Sequence, residues 1–132
     1  MTHFNKIVLL LAVFLFFSSC ENKKTTTILT FADLELNRGD LLLCGDPNFG
    51  EVSFSLSCRY DLRETFNLGL SLIHSFEYAE AEKAFVSILD QDSECLMAYW
   101  GTAMSILNHP LSLKQNPESL KRGEALLEIA KT

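Results

Sequence analysis

From Asp61 onward, apolar residues recur at helical spacing in two blocks, and only residues 75–77 separate them. Leu62, Phe66, Leu68, Leu70, Leu72, Ile73 and Phe76 form the first block. Asp61 and Glu64 open it, where the helix dipole favours acid. In the second, starting near Tyr78, Ala81, Ala84, Phe85, Ile88 and Leu89 share one face, with Glu80, Glu82 and Lys83 opposite. So short a join forces the two helices to run antiparallel as neighbours. The fold class predicted is therefore all-α, built from antiparallel helical hairpins. The hairpin also brings Cys58, just before its first helix, to the same end as Cys95, just after its second, at roughly disulfide separation. The alternatives are a Cys44–Cys58 pair across the Gly-rich turn, or free thiols.

Gly69, Ala81 and Phe85 stand at spacings of 12 and 4, with Leu68 before the glycine. Ala98-Tyr99-Trp100 opens a further helix near Leu96, and Ala103 falls 34 residues after Gly69. This pattern resembles the tetratricopeptide (TPR) repeat, whose period is the same. The resemblance implies a solenoid of about two repeats over residues 58–132, with small residues letting helices approach and Phe85 filling the space between hairpins. It also implies a concave face lined by the first helix of each repeat, which holds a peptide or partner protein. On this chain that face draws on Thr65, Leu68, Leu72, Tyr99, Thr102 and Ile106. Tyr99 and Trp100 are read chiefly as packing between repeats. The segments at residues 52–58, 72–76, 95–101 and 109–111 are similar to parts of longer exported bacterial TPR proteins. This chain departs from them after Leu111, with Ser112 and Leu113.

The second repeat is irregular. Pro110 ends its first helix, and Pro117 suits the first turn of the next, which runs from Glu118 to about Lys131. Gly123 lies 42 residues after Ala81, so the intervening loop carries about eight residues beyond the TPR period. Leu120, Leu126, Leu127, Ile129 and Ala130 make the last helix apolar enough to want a neighbour. Three covers are expected: the N-terminal segment folded back, a second copy through self-association, or further repeats of a longer chain. The last is preferred. Residues 28–57 read as mostly irregular chain against the first helix, with one or two short strands at most.

The N-terminus reads as an address. Lys6 precedes an unbroken apolar run over residues 7–17, too short for a comfortable membrane span and of signal-peptide length. Ser18, Ser19 and Cys20 follow, and the placement resembles the lipobox of bacterial lipoproteins, with Phe17 in place of the usual Leu. The resemblance implies a signal peptide over residues 1–19 and acylation (palmitate among the chains) on Cys20. It also implies a polar tether over residues 20–27 and a membrane-anchored location in the cell envelope. Removing the signal removes Lys6, which makes an already acidic chain of net charge −6 more so. That balance argues against nucleic acid as a partner.

No nucleophile–base pair, phosphate loop or CxxC motif appears, so neither catalytic residues, metal ligands nor a cofactor are assigned, and the chain is not read as an enzyme. His74 is expected to pack and His109 to order the loop. Glu77, Glu80, Glu82, Asp90, Asp92 and Glu94 are expected on a solvated face. The sequence therefore reads as a membrane-anchored interaction module or scaffold with an unidentified protein or peptide partner. The alternative is the N-terminal fragment of a larger envelope protein, with a structural role or with chemistry in absent parts.

Overall fold

The computed structural model describes residues 30–43, 48–107 and 116–132. Among these, four α-helices and no strand occur: α1 (Arg63–His74), α2 (Tyr78–Leu89), α3 (Leu96–Leu107) and α4 (Pro117–Ile129). The all-α expectation holds, and the strands considered for residues 28–57 are absent from the described part of that segment. In their place are one 3₁₀ turn, Phe31–Asp33, and irregular chain.

Each helix packs on the next, and α1 also touches α3. The link after α1 explains the first reversal. The Phe76 N–H donates to the Ile73 carbonyl and the Glu77 N–H to the Leu72 carbonyl, at 3.2 and 2.9 Å. This is the Schellman pattern, which caps a helix with one residue in the left-handed region. That residue is usually glycine, but here it is Phe76, with φ at 65°. At the far end of the hairpin, the Asp92 carboxylate accepts from the Glu94 and Arg59 N–H groups, at 3.2 and 3.3 Å, fixing the turn into α3. At the start of α4, Asn116 caps through its side chain, accepting from the Glu118 N–H at 3.0 Å, and Pro117 takes the first turn.

The core lies where the helices meet. Phe66, Leu72, Phe85, Ile88, Leu89 and Leu126 are all buried to within 2%. Burying each such side chain contributes about 1.5–3 kcal/mol. Phe85 is central. A Cβ built on Gly69 of α1 would lie 2.7 Å from its ring tip, and one on Gly101 of α3 would lie 2.5 Å from its ring edge. The ring is thus gripped between backbones that only glycine allows so close. Phe66 meets it edge-on with ring centroids 5.3 Å apart.

Residues 30–43 and 48–57 lie along the hairpin as a strap. We call the end holding Cys58 and Cys95 the base and the Ser75–Glu77 link the tip. The strap starts at the base, where Phe31 packs edge-on against Tyr99 at 6.2 Å. It rises beside α2, where the Asn37 N–H and side-chain amide donate to the two carboxylate oxygens of Glu82, at 3.0 and 2.6 Å. Further on, the Leu42 N–H donates to Glu80 at 2.7 Å. It returns along α1, where Phe54 stacks on Phe66 and its N–H donates to Asn67. It ends at Cys58, which the structure joins to Cys95 in a disulfide with Cα atoms 5.0 Å apart.

The strap corrects one expectation. Glu80 and Glu82 do not lie on a solvated face; they are 9% and 4% exposed. Lys83 pairs with Glu80 at 2.9 Å, and Arg122 of α4 pairs with Glu82 at 2.9 Å. Burial alone pushes the Glu80 carboxyl up, but the Lys83 ammonium and the Leu42 N–H outweigh it and hold it below its ordinary value. A second correction concerns His74, which ends α1 exposed rather than packed.

Candidate interaction face

Helix α3 contains no charged residue, so its own sequence does not say which side faces water. Packing decides. Gly101 must face Phe85, which turns Ala98, Tyr99, Thr102, Ala103, Ser105 and Ile106 inward. The two buried hydroxyls are satisfied within the helix: Thr102 donates to the Ala98 carbonyl and Ser105 to that of Gly101, both at 2.8 Å. What remains outside is Leu96, Trp100 and Met104, spaced four apart, with Met97 and Leu107 half-buried alongside. Residues four apart lie above one another on a helix, so these side chains form one unbroken apolar stripe.

This outcome revises the face expected from the sequence. Leu72, Tyr99, Thr102 and Ile106 are buried at 4% exposure or less, because they hold the helices together. Thr65 and Leu68 are half-buried on α1. Trp100, read chiefly as packing, is instead 38% exposed. Its neighbour Tyr99 does pack. Cys20, His109, the 109–116 loop as far as Gln115 and the Cys44 thiol lie outside the described residues.

A second feature lies at the base. Phe31, Leu96, Tyr99, Ile129 and Ala130 line a mostly apolar cleft of about 450 Å³ together with Thr30, Ser93, Glu94 and Thr132. Burial raises the Tyr99 phenol above its ordinary value. On α4, Leu120 and Leu127 stay exposed, while Arg122 and Ile129 meet the strap side of the molecule.

Among the described residues no three His, Cys, Asp or Glu side chains gather as a metal site would need. No described helix is long and apolar enough to cross a membrane. Compared with family models, with curated proteins and with solved structures, the chain finds no match in any of the three.

Proposed function

We propose that this chain is a lipid-anchored interaction module of the bacterial cell envelope, built as TPR-type hairpins and docking a partner protein on the outer face of α3. The observation that carries the reading is the stripe of Leu96, Trp100 and Met104. Trp is enriched among the few residues that dominate binding energy, and Met adapts to varied partners. The placement of Phe85 between Gly69 and Gly101 supports the TPR comparison, since both glycines belong to first helices of successive hairpins. Attachment through a lipid on Cys20 rests on the lipobox resemblance. The test is affinity capture from solubilised membranes with the full lipidated chain. Trp100→Asp with Met104→Asp abolishes capture of a partner that the exposed-surface control Leu127→Asp retains. Equal capture by all three forms refutes the α3 face.

A further inference from the structure

Glu82 of α2 joins two elements that lie far apart along the chain. Its Oε1 accepts from the Asn37 N–H of the strap at 3.0 Å and from the Arg122 guanidinium of α4 at 2.9 Å. Its Oε2 accepts from the Asn37 side-chain amide at 2.6 Å. The Arg122 Nε is buried without a partner, the one side-chain polar atom so placed among the described residues. Helix α4 itself is weakly embedded. Of its 13 residues only Gly123 and Leu126 are buried, whereas α2 is buried along most of its length. Among the described residues its one ion pair to another helix is the one to Glu82.

The strap and α4 therefore depend on one carboxylate, and the dependence has a sign. Docking the strap takes Glu82 out of water. With Arg122 in place the buried charge is paired. Without it only the neutral amides of Asn37 face the carboxylate, and burying an unpaired charge is costly. Arg122 thus favours a docked strap. Linkage makes this reciprocal: a docked strap favours Arg122, and the helix that carries it, to the same degree. The physical reason is shielding, since an ion pair held out of water is screened far less than one on the surface.

We infer that Glu82 is a relay through which the strap sets how firmly α4 is held. Lifting Asn37 leaves the Glu82–Arg122 pair open to water, and α4 opens more often. Gly123, next to Arg122, packs beside Leu107 at the edge of the α3 stripe, so an opening of α4 uncovers that edge. The relay thereby regulates the α3 face, and this consequence alone rests on the docking reading above.

Native-state hydrogen exchange of the full chain in detergent, mapped by peptide mass spectrometry, tests the relay without a partner. Asn37→Ala, at an exposed residue, removes one hydrogen bond to Glu82 and leaves the core untouched. Exchange of α4 peptides is expected to rise about two- to fivefold, up to the factor one hydrogen bond contributes, with α1 unchanged. Arg122→Met keeps a long apolar stem and removes the charge. In that background Asn37→Ala no longer moves α4 exchange. Unchanged α4 exchange in Asn37→Ala alone overturns the relay. So does an equal rise in α1, which marks general destabilisation. An undiminished rise in the Arg122→Met background also overturns it, because the link then runs through Phe31 and Ile129 at the base. A positive exchange result stands even where Trp100→Asp with Met104→Asp leaves capture unchanged, which refutes the α3 face and not the relay.

Discussion

Adding a methyl group at Gly101 tests the central packing claim most directly. The Cβ of Gly101→Ala would lie 2.5 Å from two ring carbons of Phe85 and 2.7 Å from a third. Carbon atoms rest at about 3.5–4.0 Å, so about 1 Å of overlap must be relieved. The ring has no free direction: it is fully buried, with Gly69 at its tip and the Phe66 ring beside it. Overpacking of this kind costs about 1–3 kcal/mol. Against it stands the helix propensity of alanine over glycine, about 1 kcal/mol in favour. The net expectation is a loss of up to about 2 kcal/mol, or up to about 16 °C in Tm for a domain of this size. Gly123→Ala is the internal control, because its Cβ would meet nothing closer than 3.7 Å. There only the propensity gain remains, and stability rises by up to about 1 kcal/mol. Urea unfolding followed by far-ultraviolet circular dichroism reads both. Phe85→Leu in the Gly101→Ala background completes a cycle whose coupling exceeds about 1 kcal/mol if the contact is real. A stabilised Gly101→Ala, matching Gly123→Ala, with coupling under about 0.5 kcal/mol, would refute the grip of α1 and α3 on Phe85.

Three further outcomes are expected. Cys58→Ala removes a cross-link spanning 37 residues and lowers stability by about 3–4 kcal/mol on loop entropy; unchanged urea midpoints with and without reductant would contradict it. Phe76→Gly relieves a left-handed residue costing about 1–2 kcal/mol, less about 0.4–1 for a more flexible unfolded chain, so the midpoint rises modestly. A fall instead would mean that the edge-on contact of Phe76 with Tyr78 outweighs the backbone strain. Glu80, held below its ordinary 4.5, contributes stability fully above that value and loses it as pH falls through the lowered one. Comparing urea midpoints at pH 6 and pH 3, Glu80→Gln narrows the drop; an undiminished drop counts against the strap contact.

The helices were legible because their apolar residues repeat at helical spacing and their caps use recognisable residues: Asn116 and Pro117 before α4, acids at the start of α1. Two things were not legible, for different reasons. The burial of Glu80 and Glu82 depends on a strap more than 35 residues upstream, whose Asn37 and Leu42 carry no local sign of where they dock. Read on its helix alone, each glutamate looks solvated. The outward side of α3 was misassigned because a helix with no charged residue has no polar side to orient it. Its rotation is set from outside, by the one glycine that fits against Phe85. Gly101 was the available clue, a second small residue two positions before Ala103 in the repeat register.

The disulfide has a mechanical consequence for a chain held at its N-terminus and loaded through a partner on α3. Tension first reaches Phe31 at the base and peels the strap contact by contact, releasing slack of about 3.3–3.6 Å per residue. The strap then runs taut at Cys58. From there the load crosses the sulfur–sulfur bond to Cys95 and enters α3 through Leu96, the next residue. Helices α1 and α2 lie off that path, between the two bonded cysteines, and bear no pull. The strap behaves as a spring with a fixed stop, and the helical hairpin that grips Phe85 is shielded from the force that extends it.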